Sequence, residues 1–340
     1  MGRTEHVALS ISVVIVAYDS GAALKRCLES LRDGEPEAEV IVVDNAGNDR
    51  SVVEQFGVHL IEPGANLGYA DGCNRGASEA TGDALVFLNP DTVVDSGALV
   101  RLAETLRDPS IGIAMPRLRL LGRPELLNSG GNIVHLTGLA WAGGYEQPAE
   151  SVSELRDVPY ASGAALAMRA ELFRELGGFT AELFMYQEDL DLSWRARLRG
   201  LRVVVTPDAD VFHDYEFGRN PAKYYLLERN RLIFVITAYP ARLLLPVAPV
   251  LLAGELALTA LALGQGWFRP KVAGWAWLAR HGRWLLRHRR KTMGLKRASA
   301  GEMAQFLTPI LDPKMIQLPR ALGIANVLMS AYWRAARKLV

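Results

Sequence analysis

Short apolar runs alternate with amphipathic segments through the first two-thirds of the chain. Ile11–Ala17 is apolar at all but one position, the pattern of a strand covered on both faces of a parallel sheet. Gly21–Arg32 follows, with Leu24, Leu28 and Leu31 on one helical stripe. Further strands are predicted at Val40–Val43, Val58–Ile61, Ala84–Leu88, Ile111–Met115, Ser162–Arg169 and Arg202–Thr206, and further helices at Tyr69–Ala80, Ser96–Leu106, Glu171–Leu176 and Glu188–Arg199. This alternation predicts a doubly wound α/β sheet whose strand ends carry the ligand.

The pattern changes beyond about residue 220. Tyr224–Tyr239 is strongly helical, and Leu243–Leu263 is almost entirely apolar and long enough to span a bilayer. Pro246 and Pro249 interrupt that run and Glu255 lies inside it. An in-plane or re-entrant segment is therefore favoured over a full crossing.

Charge is distributed unevenly along the 340 residues. The net charge of +1 indicates no particular partner and no nucleic acid. Between residues 269 and 297, however, every charged residue is basic, and tryptophans lie in or beside that segment: Trp267, Trp275, Trp277 and Trp284. This mixture suits an anionic membrane surface. A helical domain packed on the core, or one forming a homo-oligomer, is the alternative.

The two cysteines, Cys27 and Cys73, fall inside predicted helices. Buried reduced thiols are favoured over one long-range disulfide. No secretory signal is recognisable, because the first apolar run lacks a basic start and a small-residue cleavage site. We therefore expect a cytoplasmic location, on the inner face of the cell membrane.

Polar residues stand where predicted strands end. Asp44 and Asn45 follow the second strand, where a carboxylate suits a base or ribose and an Asx turn is the plain alternative. Asn66 and Gly68 open a loop that leads into a helix. The spacing of this loop is not GxGxxG, which counts against a dinucleotide-binding oxidoreductase.

Asn89-Pro90-Asp91 ends the fourth strand. Pro90 prevents the strand from continuing, so Asp91 is held at the edge of the sheet. A carboxylate oxygen there suits Mg²⁺ or Mn²⁺ bridging phosphate oxygens, although the tripeptide is also ordinary turn chemistry. His213 follows a later apolar run, and a single histidine is more often structural than a ligand.

Glu188, Asp189 and Asp191 begin a predicted helix whose buried stripe runs from Leu190 to Leu198. Carboxylates in a first turn are favoured by the helix dipole, which explains them without any function. Three of them after a Gly-Gly-Phe turn also suit a general base aimed into a cleft.

In this order the pieces resemble family 2 of the inverting glycosyltransferases, in its bacterial rhamnosyltransferase-like branch, from residue 11 to about 239. The matching strings are Val16–Ser20 (VAYDS), Val42–Asn45 (VVDN), Asn66–Tyr69 (NLGY), Asn89–Asp91 (NPD), Gly177–Phe179 (GGF), Glu188–Asp191 (EDLD) and Arg229–Arg231 (RNR). The resemblance implies a GT-A fold: a Rossmann-like, mostly parallel sheet with flanking helices. Together with the change of pattern beyond residue 220, it divides the chain into a catalytic domain at 1–220, with a nucleotide-sugar half at about 8–116 and an acceptor half at 117–220, and a C-terminal α-helical, membrane-associating region at 221–340.

The resemblance also implies roles for individual residues. Asp189 is the general base, with Glu188 beside it. Asp91 is the last acid of a metal-binding DxD motif, with Asn89 in place of its first acid, and His213 is a second ligand of Mg²⁺ or Mn²⁺. The donor contacts are Ala17, Tyr18, Asp44, Asn45, Asn66, Gly68, Tyr69, Asn74, Asn89 and Asp91. The acceptor contacts are Ser162, Gly163, Tyr186, Asp191 and Arg229.

The implied reaction is inverting sugar transfer from a nucleoside diphosphate donor, dTDP-rhamnose by the branch, to a polyprenyl-linked or glycan acceptor in cell-envelope synthesis. UDP-sugar and GDP-sugar donors stay open, as does a non-catalytic, membrane-associated sugar-binding scaffold. A nucleotidyltransferase would need an N-terminal Gly-rich loop ending in Arg or Lys, and Ala17–Ser20 is not one. A processive synthase would carry a Gln-x-x-Arg-Trp motif, which the sequence lacks.

Overall fold

The computed structural model describes residues 9–214, 221–313 and 322–340. Within these ranges the strands are β1 (Ile11–Ala17), β2 (Glu39–Asp44), β3 (His59–Ile61), β4 (Ala84–Leu88), β5 (Thr92–Val94), β6 (Ile111–Leu120), β7 (Arg123–Ser129), β8 (Asn132–His135), β9 (Ala140–Ala142), β10 (Arg156–Asp157), β11 (Ala165–Arg169), β12 (Arg202–His213) and β13 (Leu307–Thr308). The helices are α1 (Gly21–Gly34), α2 (Arg50–Glu54), α3 (Gly68–Glu79), α4 (Ala98–Thr105), α5 (Ala170–Leu176), α6 (Glu188–Leu198), α7 (Pro221–Ala238), α8 (Ala241–Gln265), α9 (Phe268–Arg280), α10 (Gly282–Gly294), α11 (Ala300–Ala304) and α12 (Leu322–Ala336).

Eight of the strands form the main path of a twisted sheet in the order β10-β12-β6-β11-β4-β1-β2-β3, with β5 and β7 added beside β12 and β6. The block β3-β2-β1-β4 is parallel. Beyond it β11 runs antiparallel to both of its neighbours, while β12 is parallel to β6. The sheet is therefore mixed, and its parallel character is concentrated in the first half of the chain. Since β1, β2 and β4 run the same way, their carboxyl ends share one edge.

The core follows the predicted apolar pattern. The β1 residues from Val13 to Ala17 are buried, and α1 covers the sheet with Leu24, Cys27, Leu28 and Leu31. Both cysteines are free thiols in the interior, as expected. Continuous apolar strands are thus covered on both faces by helices, which is what a doubly wound sheet requires.

The segment 117–160 is more ordered than its glycine content suggests. β6 continues to Leu120 and pairs with β7, and β8 and β9 form a hairpin that β13 extends into a second, three-stranded sheet. β12 also runs past its predicted end at Thr206 to His213 through an irregularity that contains Asp208 at φ +63°. Pro207 and Asp208 resemble a strand stop in sequence, but here they form a bulge.

The C-terminal helices are packed onto the sheet domain. Trp194 of α6 lies between Phe234 and Tyr239, with ring centroids 5.3 and 5.7 Å away, and its indole N–H donates to Ala238 O at 3.1 Å. α8 continues as one helix through Pro246 and Pro249, so the prolines do not end it. It is the one helix in the described ranges that is long and apolar enough to cross a membrane, with a mean hydropathy of 1.9.

A buried group of charges ties α8 to its neighbours. Glu228 and Arg231 of α7 meet Glu255 of α8 and Lys271 of α9, with Arg231 and Lys271 each only 1% exposed. Trp275 also donates its indole N–H to Glu255 at 3.0 Å. Lys271 and Trp275 therefore bind the protein itself, unlike the surface-facing role that the sequence suggested for this basic, aromatic segment.

Candidate active site

Asp44 and Tyr18 occupy the shared edge of β1 and β2. Ala17 pairs with Asp44 in the register of the two strands. The Asp44 carboxylate accepts the backbone N–H of Gly47 at 2.9 Å and of Asp49 at 3.1 Å, forming a turn of the Asx type. Asp44 thus shapes the loop, while Tyr18 is 54% exposed beside it and free to contact a ligand.

Asn45 fixes the loop from Asn66 to Gly68, called the glycine loop below. Its side-chain N–H₂ donates to Asn66 Oδ1 at 3.0 Å and to Gly68 O at 3.1 Å, and its oxygen accepts the Leu67 N–H at 2.8 Å. Gly68 has φ +74°, and a Cβ at this position would lie 2.5 Å from the carbonyl oxygen of Phe184. Glycine is therefore required both by conformation and by the close approach of the segment that precedes Glu188.

A short loop before β11 connects three of the predicted motifs. The Tyr69 hydroxyl donates to Gly163 O at 2.6 Å, and the Gly163 N–H donates to Asp189 Oδ2 at 2.8 Å. The next residue, Ala164, accepts the N–H of Asn89 at 3.0 Å. The glycine loop, the Asn-Pro-Asp turn and the start of α6 are thereby held in one fixed arrangement.

Asp189 and Glu188 differ in how their charges are supported. Burial raises the pKa of Asp189 to about 6, while hydrogen bonds from the Gly163 and Leu190 N–H groups oppose that rise. Burial and the neighbouring Asp189 raise the pKa of Glu188 well above its usual value. Glu188 Oε2 is buried without a hydrogen-bond partner among the described residues. Asp189 is therefore the better carrier of negative charge in this pair.

Asp91 and His213 lie side by side, as their proposed shared ligand role requires. β5 and β12 pair Thr92 with His213, and Asp91 Oδ1 lies 3.3 Å from His213 Nε2. The other ring nitrogen, Nδ1, is 3.1 Å from Asn128 Oδ1. If Nδ1 donates its proton there, Nε2 presents a lone pair toward Asp91.

This pair fits a divalent cation. Asp91 Oδ1 is buried and accepts no hydrogen bond within the described ranges, and the separation of the two atoms lets both ligate one ion. No group of three His, Cys, Asp or Glu side chains able to hold a metal ion occurs in the part of the chain that the structure describes. Residues 215–218, which follow His213 and Asp214 in the sequence, lie outside the described residues.

The loop that precedes Glu188 is strained. Phe184, Tyr186 and Gln187 have φ of +65°, +70° and +65°. From α7, the Asn230 side-chain N–H₂ lies within hydrogen-bond distance of the carbonyls of Leu183, Met185 and Tyr186, at 2.9, 2.9 and 2.7 Å. Arg229 adds hydrogen bonds to the carbonyls of Glu182 and Leu183. Helix α7 thus holds the loop that delivers Glu188 and Asp189, a role that the sequence did not reveal.

Three predicted contact residues have protein partners instead. Asn74 exchanges two hydrogen bonds with the Phe179 backbone, at 2.9 and 2.8 Å. Arg229 is 6% exposed and its guanidinium lies 5.0 Å from the Trp277 ring. Asp191 is 2% exposed and pairs with Arg195 at 2.9 Å. Burial alone would raise the pKa of Asp191, but Arg195, His288 and Thr180 hold it well below its usual range.

Ser162 and Tyr186 remain available to a ligand. Ser162 is partly exposed, and its hydroxyl accepts the Ala164 N–H at 3.3 Å. Tyr186 is half-buried, and the Lys223 ammonium lies 5.4 Å from the centre of its ring. Both flank the Gly163–Asp189 contact in sequence.

Comparison with known proteins places the chain in a family. A family model for glycosyl transferase family 2 matches residues 12–177. The N-acetylglucosaminyl-diphospho-decaprenol L-rhamnosyltransferase of Mycobacterium tuberculosis is 32% identical over an alignment of 248 residues that covers 63% of this chain and 80% of that protein. The low-salt glycan biosynthesis hexosyltransferase Agl10 of Haloferax volcanii is 26% identical over 66% of this chain and 74% of that protein.

Solved structures share the fold. GalNAc-T7, with UDP, GalNAc and Mn²⁺, superposes with a TM-score of 0.59 at 21% identity, over 70% of this chain and 49% of that one. TarS 1-349 of S. aureus superposes with a TM-score of 0.53 at 15% identity, over 97% of this chain and 90% of that one. These likenesses show the fold and confirm the GT-A expectation. The chain belongs to glycosyl transferase family 2, and it is a glycosyltransferase.

Proposed function

We propose that this enzyme transfers a sugar to a lipid-linked or polysaccharide acceptor in cell-envelope glycan synthesis, with inversion at the anomeric carbon. The donor that we propose is dTDP-rhamnose. One observation carries the proposal. Gly163 and Ala164 hold Asp189 and the Asn89–Asp91 turn in register, so a carboxylate base and a cation ligand belong to one rigid site. The name of the mycobacterial relative supports rhamnose as the donor sugar and a diphospholipid as the acceptor.

Asp189 supplies the base in this mechanism. A sugar hydroxyl has a high pKa and must lose its proton as it attacks the anomeric carbon. Asp189 Oδ2 accepts that proton, and the Gly163 and Leu190 N–H groups keep the carboxylate oriented and charged before the attack. A single displacement on the face opposite the leaving diphosphate gives the inverted product.

The donor side uses the edge of β1, β2 and β4. Tyr18 is exposed next to the Asp44 turn and would contact the nucleotide base of the donor. The glycine loop from Asn66 to Gly68 is fixed by Asn45 and offers backbone groups to the diphosphate. Asp91 and His213 would hold the Mg²⁺ or Mn²⁺ that neutralises charge on the leaving group when bound.

A membrane surface is the proposed meeting place with the acceptor. The outward face of α8 exposes Leu245, Leu252 and Leu256, at 77%, 66% and 66%, and α12 exposes Ile324 and Val327 at 70% and 68%. Soluble surfaces rarely collect such side chains in one patch. The opposite face of α8, with Val247 and Val250, is buried against the protein, and Glu255 on its flank is fixed by Lys271 and Trp275. An in-plane helix on the cytoplasmic face therefore fits better than a span. The division at residue 220 is part of this proposal.

Two alternatives from the sequence can be compared with the site. A UDP- or GDP-sugar donor fits the same edge, since the glycine loop and the proposed cation ligands act on the diphosphate, which all these donors share. A non-catalytic scaffold is disfavoured, because it would have no need to hold Asp189 with two N–H donors beside a second buried acid.

A donor screen tests the proposal. The full chain is incubated with dTDP-rhamnose, UDP-galactose or GDP-mannose, with and without Mn²⁺, and both thermal stabilisation and release of nucleoside diphosphate are measured. We expect dTDP-rhamnose to bind and to be hydrolysed slowly, in a manner that depends on Mn²⁺. Preference for UDP-galactose or GDP-mannose would replace the donor and keep the mechanism. Failure of all three to bind with Mn²⁺ would contradict it.

A further inference from the structure

A cavity lies between the Gly177–Glu182 segment and helices α6 and α10. It has a volume of about 430 Å³ and is enclosed by the Gly177–Glu182 segment, by Arg195 of α6 and by one face of α10. Neither Asp91, Asp189 nor His213 lines it. Its size falls within the range of small-ligand pockets.

The cavity carries an excess of positive charge. Arg287 and Lys291 stand at its rim, exposed, and neither forms an ion pair with a described residue. Arg195 and His288 line its wall. Of the nearby acids, Asp191 pairs with Arg195 at 2.9 Å, while Glu182 lines the cavity and accepts the Trp284 indole N–H at 2.7 Å, so Arg287 and Lys291 outnumber the one carboxylate that has no cationic partner among the described residues.

Buried polar atoms in the cavity wall lack partners. Thr292 is fully buried, and its hydroxyl makes no hydrogen bond with any described residue. His288 Nε2 is likewise buried without a hydrogen-bond partner in the described ranges, 3.9 Å from Asp191 Oδ1. Leaving such groups unsatisfied costs roughly 1–3 kcal/mol each, and a polar group bound in the cavity would relieve that cost.

The backbone leaves room for the rim cation. Gly177 has φ +84°, and a Cβ there would lie 2.6 Å from Lys291 Nζ. A side chain at this position would therefore displace the ammonium group from the cavity. Trp284, which also lines the cavity, stacks on His288 with centroids 4.9 Å apart.

We propose that this cavity binds a phosphate group, with Arg287 and Lys291 supplying charge and Thr292 and His288 supplying hydrogen bonds. Guanidinium and ammonium groups complement the negative charge of a phosphate, and their N–H groups donate hydrogen bonds to its oxygens, as a hydroxyl does. The phosphate has two possible sources: the headgroup of an anionic lipid, or a soluble phosphate compound. The site is independent of the Asp189 chemistry, and its failure would leave the proposed transfer reaction intact.

The first arm of the test uses inorganic pyrophosphate and the full chain in EDTA, which removes divalent cations from Asp91 and His213. Binding is measured by calorimetry for the wild type, for the double variant Arg287→Gln/Lys291→Gln and for Thr292→Val. The control Arg283→Gln/Arg290→Gln removes the same charge from the same helix outside the cavity. We expect affinity to fall at least tenfold in the cavity double variant and severalfold in Thr292→Val, with the control unchanged.

The second arm identifies the source. Co-sedimentation is compared with mixed phosphatidylglycerol–phosphatidylcholine vesicles and with phosphatidylcholine vesicles. A cavity variant that binds the anionic vesicles less than the control does supports a lipid headgroup, and a loss seen with pyrophosphate alone supports a soluble phosphate. If the cavity and control double variants behave alike in both arms, the site does not exist.

Discussion

The Gly163 N–H donates to Oδ2 of Asp189 across 2.8 Å, and the same residue accepts the Tyr69 hydroxyl through its carbonyl at 2.6 Å. One residue, Gly163, thus links α3 to the carboxylate at the start of α6. Because both contacts are short and partly or fully buried, Asp189 has a fixed orientation before any substrate arrives. Such preorganisation is what a general base requires.

The pH dependence of transfer follows from this placement. Burial raises the pKa of Asp189 to about 6, and only the ionised carboxylate accepts a proton. We expect kcat/KM to fall about tenfold per pH unit below that pKa and to level off near pH 7 and above. Initial rates at saturating Mn²⁺ between pH 4.5 and 8, with unfolding checked at each pH, measure this. A rate that stays constant down to pH 4.5 would exclude Asp189 as the titrating base.

Asn230 is a buried residue that positions the loop preceding Glu188. Asn230→Asp keeps the volume but replaces the donor that faces the Leu183, Met185 and Tyr186 carbonyls with an acceptor. Losing such contacts costs about 1–3 kcal/mol, so we expect kcat to fall roughly 10- to 100-fold. KM for the donor should change little, because the donor edge is fixed by Asn45.

Thr237→Val is the matched control for that experiment. Thr237 is also buried on α7, but among the described residues its hydroxyl bonds only to Ile233 O of its own helix. We expect nearly wild-type kcat for this variant. Equal losses in both variants would mean that α7 acts through general stability and does not position the loop.

Metal binding should depend on Asp91 and His213 together. Removing either ligand with Asp91→Asn or His213→Gln is expected to weaken Mn²⁺ binding in the presence of nucleoside diphosphate by at least tenfold. Electron paramagnetic resonance of free Mn²⁺ reports this without any turnover. Asp95→Asn, a nearby exposed carboxylate, is the control, since Asp95 is paired only loosely with Arg101 at 3.6 Å. Unchanged Mn²⁺ affinity in both ligand variants would contradict the assignment.

The exposed face of α8 should govern membrane binding. Leu252→Gln combined with Leu256→Gln removes two side chains that are each 66% exposed, so the fold should tolerate the change while partition into vesicles drops about tenfold or more. Co-sedimentation with phosphatidylglycerol-containing vesicles measures it. Val100→Gln alters an exposed apolar residue of α4 and should leave partition unchanged. Partition that survives the α8 changes would leave this helix without a membrane role.

Local sequence patterns were sufficient to predict β1–β4, β6, β11 and β12, although not where β6 and β12 end, and to place polar residues after β2 and β4. The apolar runs end just before Asp44 and Asp91 and shortly before Asn66, because the chain must leave the sheet at those points. Burial periodicity also predicts the α1 stripe and the inward side of α6 around Trp194. These features depend on neighbours close in sequence.

Long-range contacts were not predictable from pattern. Asn74 looks like a donor-loop amide but pairs with the Phe179 backbone, 105 residues away. Asp191 repeats the acidic pattern of Asp189, yet helix geometry turns it inward to Arg195. Arg229 and Lys271 are basic residues whose partners lie on other helices or loops, and only the tertiary structure shows that both are buried.

Asp189→Asn tests the central claim most directly. The variant should fold at least as stably as the wild type at pH 8. Because folding raises the pKa of Asp189, the protonated carboxyl stabilises the folded state at low pH, and this stabilisation is lost as the pH rises through about 6. Asparagine does not ionise and so avoids that loss. Glu171→Gln, on the exposed side of α5, controls for loss of a carboxylate. Transfer of labelled sugar from the donor identified in the screen to a polyprenyl-diphosphate-linked acceptor is measured at pH 8 with Mn²⁺. We predict a loss of about 10²- to 10⁴-fold for Asp189→Asn with donor binding retained; transfer at the wild-type rate would contradict the mechanism.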